Sequence, residues 1–106
     1  MALVLHIYRG TQPFPRSETY GLVAQLRRAA VSVPSNIAEG QARLTTGEFR
    51  HFLGNARGSL IEVETQILIA QELGYMEHAE SENLLREAAE VGRILNGLLN
   101  SLPSSR

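Results

Sequence analysis

The sequence predicts an all-α fold, an antiparallel up-and-down four-helix bundle in a single domain over residues 1–106. Apolar residues recur every three to four positions in four segments, the period of a helix with one buried face. No segment shows the alternation of a half-buried strand, and Gly and Pro clusters punctuate the four. A chain of 106 residues holds one core and buries a modest share of its surface, so assembly with further copies would help it.

The first helix is expected from Ala2 to about Thr11, short and apolar on most sides. Gln12 to Arg16 reads as a loop, with Pro13 and Pro15 flanking Phe14, and Ser17 is the expected N-cap of a second helix from about Glu18 to Ala42. At roughly 100° per residue, Leu22, Leu26, Ala30, Val33 and Ile37 share its core stripe. The face away from that stripe is small and largely apolar, built from Tyr20, Ala24, Val31, Ser35, Ala38 and Ala42 with Arg27 its one charge. Pro34 lies inside this helix, where the lost hydrogen bond and ring clash cost roughly 3 kcal/mol. A kink is expected there, with the Ala30 carbonyl deprived of its helical partner.

Thr45 followed by Glu48 reads as a capping box that starts a third helix, which runs to about Leu73 and stops at Gly74. Phe49, Phe52, Leu53, Ala56, Leu60, Val63, Ile67 and Ala70 form its core stripe. Its opposite face again lacks charge, carrying Gly54, Gly58, Thr65 and Ile69 beside His51; the two glycines, four apart, would let another backbone approach closely. The fourth helix, about Ala79 to Leu102, turns Leu84, Ala88, Val91, Leu95, Leu98 and Leu102 inward and sets Glu82, Arg86, Glu90 and Arg93 outward as spaced ion pairs. Pro103 to Arg106 is expected to fray. Helices two and three thus have a second apolar face and helix four does not, which predicts self-association.

Composition narrows the chemistry. Without Cys there are no disulfides and no thiolate chemistry, and a reducing compartment fits best. No apolar run reaches the ~20 residues of a membrane span, and the start MALVLHIYRG has neither basic leader nor cleavage site, so a cytoplasmic protein is expected. All bases are Arg and all acids Glu. Residues 1–60 carry seven Arg against three Glu, a net +4, and residues 61–106 carry three Arg against eight Glu, a net −5. Oppositely charged helices packing together would account for this; steering of an acidic partner to the first half is the alternative.

Two polar stripes flank the core. Gln25, Arg28, Ser32, Asn36, Glu39 and Arg43 line one side of the second helix, and Asn55, Ser59, Glu62 and Gln66 line the third. Facing each other, they would pair Arg28 or Arg43 with Glu62 and Asn36 with Ser59 or Gln66. A satisfied network of Ser32, Asn36, Glu39, Ser59, Glu62 and Gln66, fixing register between helices or subunits, is favoured over a ligand or phosphate site. Glu48 and His51 have the Glu-x-x-His spacing of half a di-iron site, but a second copy is absent and neither His6 nor His78 follows such a Glu. No phosphate-binding Gly loop or nucleophile elbow occurs. No catalytic residue, metal or cofactor is expected. Arg27, Arg28, Arg43, Arg50 and Arg57 form a candidate basic patch for nucleic acid or another partner, with Tyr20 or Phe14 available to stack on a base. The net-acidic chain favours a solvated face over that reading.

The run ETYGLVAQLRRAAVSVPSNIAEGQAR, preceded by a Phe-Pro pair and followed by EFRHFLGNARGSLIEVETQILIAQELGY, resembles the four-helix bundle proteins first called 23S rRNA intervening-sequence proteins. Arg27-Arg28-Ala29-Ala30, Pro34 to Gly40 and Gly58-Ser59-Leu60 carry the resemblance, which covers nearly the whole chain. It implies a bacterial bundle assembled as a ring-like homopentamer, and relatives with a further lead segment on the first helix. Family members that accompany the reverse transcriptases of diversity-generating retroelements look like strongly basic accessory proteins, unlike this slightly acidic chain. The expectation is a non-enzymatic oligomeric scaffold or adaptor that recruits a protein or nucleic-acid partner; the alternative is a nucleic-acid accessory protein of that retroelement kind.

Overall fold

A computed structural model describes residues 1–103. The expected fraying of Pro103 to Arg106 therefore falls, beyond Pro103, outside the described residues. The order is α1 (Ala2–Thr11), a 3-10 turn (Arg16–Glu18), α2 (Leu22–Gln41), α3 (Thr46–Glu72) and α4 (His78–Ser101), with no strand among the described residues. Contacts across the interfaces run in opposite chain directions: Gln25 meets Gln66, Ser32 meets Ser59 and Gly40 meets Phe49, while Arg50 reaches Leu99 and His6 reaches Glu87. Each helix is thus antiparallel to its neighbours, as expected.

Local chemistry sets the boundaries. The second helix begins later than the sequence predicts, because the chain from Arg16 to Glu18 closes a 3-10 turn and Gly21 takes the N-cap position without a side-chain bond. Ser17 is not the cap. The Glu18 Oε1 accepts from the Leu22 amide at 3.1 Å, so a carboxylate four residues upstream satisfies one of the orphan donors. Glu18 also accepts from the Tyr75 hydroxyl at 3.1 Å; that bond, then burial and the carboxylate charge, push the Tyr75 pKa above its ordinary value. At α3, the Thr45 hydroxyl oxygen accepts from the Glu48 amide at 3.1 Å, as the capping box requires. Glu48 closes the box on the Thr45 hydroxyl at 3.0 Å rather than on its amide.

The third helix ends in a Schellman motif. Gly74 has φ +77°, its amide bonds the Gln71 carbonyl at 3.0 Å, and the Tyr75 amide bonds the Ala70 carbonyl at 2.9 Å. α2 passes through Pro34 as one continuous element. The tertiary contact between α2 and α3, the most extensive of any helix pair, holds the segment in place.

The core is a file of fully buried side chains: Ile7, Leu26, Val33, Leu53, Val63, Ile67 and Leu95. Val23 and Ala29, outside the stripe read from the sequence, are buried as well, because α2 has α1 on one side and α3 on the other and so hides a wider arc. Ile37, Phe49, Phe52, Leu98 and Leu102 are only half-buried. α3 has 27 residues, about 40 Å of helix, whereas α1 has 10 residues, about 15 Å. With Gly10 beside Glu80 and His6 beside Glu87, α1 lies along the first half of α4.

Candidate interaction faces

Arg27 anchors the first of two outward faces. Its Nε donates to the Thr11 hydroxyl at 2.9 Å, one terminal nitrogen donates to the Tyr8 carbonyl at 3.1 Å, and the guanidinium lies 4.6 Å from the centre of the Tyr8 ring. Thr11, itself buried, donates to the Ile7 carbonyl at 2.8 Å. This clamp fixes the end of α1 against α2. It escaped the sequence reading, although an isolated charge on an apolar face was a signal that Arg27 needed a local partner.

Beyond the clamp, α1, the 3-10 turn region and α2 frame a groove of about 680 Å³ lined by Tyr8, Tyr20, Val23, Ala24, Arg27, Arg28 and Val31, among others. Tyr20 is 94% exposed, standing free at its edge. The second face is on α3, where Ile61, Leu68, Ile69 and Leu73 are each about half exposed and Thr65 and Glu72 share a shallow depression with the last three. Gly54 and Gly58 have no atom near the position of a β-carbon, so that side of α3 is open.

Between the faces runs the polar seam. Ser32 and Ser59 join α2 to α3 at 2.8 Å between hydroxyls. Asn36 does not cross to Ser59 or Gln66 as expected; its amide donates to the Ser32 carbonyl at 2.8 Å and to the Ser32 hydroxyl at 2.9 Å. The buried Gln66 instead donates to Gln25 at 3.4 Å and leaves its own Oε1 without a partner. Neither expected Arg–Glu62 pair forms. Arg43 turns to Glu39, one turn back, at 2.5 Å and covers the Phe52 ring at 4.8 Å. Arg28 and Glu62 both line an open polar cavity of about 470 Å³ with Gln25, Ser32 and Ser59.

The five candidate arginines therefore have different employments. Arg27 clamps α1, Arg43 covers Phe52, and Arg50 reaches the carbonyls of Leu99, Leu102 and Pro103 at the end of α4. Arg28 and Arg57 have no hydrogen-bond or ion-pair partner among the described residues. Glu48 is taken up by its cap, and His51 lies edge-on to Phe52 at 5.4 Å. Among the described residues no group of three His or Glu side chains converges as a metal site would require. No helix among them is long and apolar enough to cross a membrane.

The sequence model of one family, described as 23S rRNA-intervening sequence protein, matches residues 1–97. The chain belongs to that family. The residues of both faces, the clamp and the polar seam lie within the matched region. No curated protein is significantly similar to this family member.

Proposed function

We propose that this chain is a non-enzymatic scaffold that assembles with its own copies and recruits a protein or nucleic-acid partner. The observation that carries this reading is the pair of outward apolar faces, Tyr8, Tyr20 and Val31 on one side and Ile61, Leu68, Ile69 and Leu73 on the other. On a bundle this small, contiguous exposed apolar surface marks an interaction site, because water contact costs about 25 cal/mol per Å² that association would recover. A ring-like homopentamer, as the family resemblance implies, in the cytoplasm, as the absence of Cys suggests, is the form proposed. The hydroxyls that donate to carboxylates, Thr45 to Glu48 and Tyr75 to Glu18, serve a helix cap and the join between the 3-10 turn and the end of α3, which supports a binding role over a chemical one.

Arg28 and Arg57 support the nucleic-acid alternative, since their unpaired guanidiniums are free for phosphates. One experiment addresses both readings: a salt titration against single-stranded DNA and structured RNA, with mass followed by light scattering in the same samples. The scaffold reading expects an oligomer at micromolar concentration, and a monomer there would end it. Nucleic-acid binding that falls steeply with salt would identify the partner, because each neutralised phosphate releases a counterion.

A further inference from the structure

We infer that the polar seam between α2 and α3 binds a small zwitterion, a molecule of amino-acid type with one carboxylate and one ammonium, between Arg28 and Glu62. The site goes beyond the scaffold role proposed above and does not depend on it. It follows from a gap in the seam. Antiparallel packing pairs Gln25 with Gln66 at 3.4 Å on one side of the gap and Ser32 with Ser59 at 2.8 Å on the other. The rung between them, Arg28 on α2 and Glu62 on α3, does not close. Both charges line the opening of about 470 Å³, together with Gln25, Ser32, Ser59 and the buried Ala29.

Neither charge is neutralised along its own helix. The residues one turn from Arg28 are Ala24, Gln25, Val31 and Ser32, and those one turn from Glu62 are Gly58, Ser59, Thr65 and Gln66. None carries a charge, whereas Arg43 and Arg93 each find a Glu within a turn. Arg27, the other cation on this part of α2, is committed to α1.

The uncharged groups sort the two ends of the ligand. Ser32 Oγ also accepts from the Asn36 amide at 2.9 Å, so whichever serine donates across the seam, one hydroxyl hydrogen is left over. With the Arg28 guanidinium, that hydroxyl offers donors to a carboxylate. Towards the other end, Gln66 is 8% exposed and its Oε1 has no partner, while Glu62 lies one turn away on the same helix. These oxygens accept, as an ammonium requires. A lone anion would meet the repulsion of Glu62 and a lone cation that of Arg28, so the opening selects a ligand that carries both charges.

The test is an NMR titration of isotope-labelled protein, following the backbone amides of Ser32, Ser59 and Glu62, with L-alanine, β-alanine, acetate and methylammonium as probes. The better-spaced of the two zwitterions is expected to saturate the site with an affinity about tenfold above that of acetate or methylammonium, the worth of one further charged hydrogen bond. Arg28→Gln and Glu62→Gln change exposed side chains that make no hydrogen bond or ion pair among the described residues. Each should weaken zwitterion binding about tenfold. Their preferences should then diverge, Glu62→Gln taking up acetate better than the wild type does and Arg28→Gln taking up methylammonium better. Acetate or methylammonium binding the wild type as tightly as either zwitterion would make this a plain ion site and overturn the inference. Seam amides that no probe shifts would overturn it too, since Arg28 and Glu62 would then be solvated or closed on each other. So would zwitterion binding that both variants leave intact.

Discussion

Gly40 shows how a single backbone position is fixed by tertiary packing. A β-carbon there would stand 2.9 Å from Phe52 Cβ and 2.9 Å from Phe49 Cδ1, so α2 and α3 cross with no room for a methyl group. The Phe49 ring can rotate away, but Phe52 Cβ moves only with its backbone. Gly40→Ala gains about 1 kcal/mol of helix propensity and incurs roughly 1–3 kcal/mol of overpacking. We expect a net loss in urea unfolding. Gly97→Ala, with nothing near its β-carbon, should gain about 0.5–1 kcal/mol in the same assay. A Gly40→Ala protein as stable as Gly97→Ala would show that the crossing is looser than described. The contrast also explains what was legible. Thr45 and Gly74 declared themselves in the sequence because their partners lie within a few residues, whereas the constraint on Gly40 comes from the next helix and leaves no local pattern.

At the scale of elements, α1 depends most on its surroundings. A 10-residue helix is marginal in isolation, and its fully buried apolar side chains are Leu3 and Ile7. The Arg27 clamp adds hydrogen bonds from a charged donor to Thr11 and Tyr8, and in this half-buried setting their loss is worth about 1–2 kcal/mol. Arg27→Gln should therefore let α1 open separately from the rest, with its amides exchanging hydrogen about tenfold faster while those of α3 keep their protection. Arg28→Gln, which removes no bond seen in the fold, is the control. Uniformly faster exchange across all helices would instead mean that α1 unfolds only with the whole bundle. The helices themselves were legible from periodicity, and three of the four lie within a residue of the expected bounds. The start of α2 was misplaced because a 3-10 turn and an α-helix share polar, cap-like residues, and Ser17 lost that role to the longer reach of Glu18. In the seam, the residues were legible but their pairings were not. Periodicity places Asn36 and Arg43 on the right face, yet side-chain bonds to a residue one turn away, Ser32 and Glu39, cost less ordering than bonds across helices.

The whole molecule carries an unresolved division of charge. Packing of oppositely charged helices within one chain was the simpler account of a +4 half and a −5 half. The described Arg–Glu pairs, however, lie within single helices, Arg43 with Glu39 and Arg93 with Glu90, and no Arg–Glu pair among the described residues joins the halves. Among the described residues, intramolecular pairing thus leaves Arg28 and Glu72 without an oppositely charged partner. Because a partner that binds only the folded chain stabilises it by mass action, assembly makes the melting temperature rise with protein concentration. Each tenfold increase adds up to about 1.4 kcal/mol per occupied site once copies exceed the dissociation constant. We expect the wild type to show this rise over two to three decades of concentration, on the order of 1–100 µM, and Val31→Arg to melt at one temperature throughout. Added salt should not abolish the rise, since burial of apolar surface such as Ile61, Leu68 and Ile69 is not screened. A melting temperature independent of concentration in the wild type would mean that both faces stay in water, and the charged halves would then need a partner of another kind.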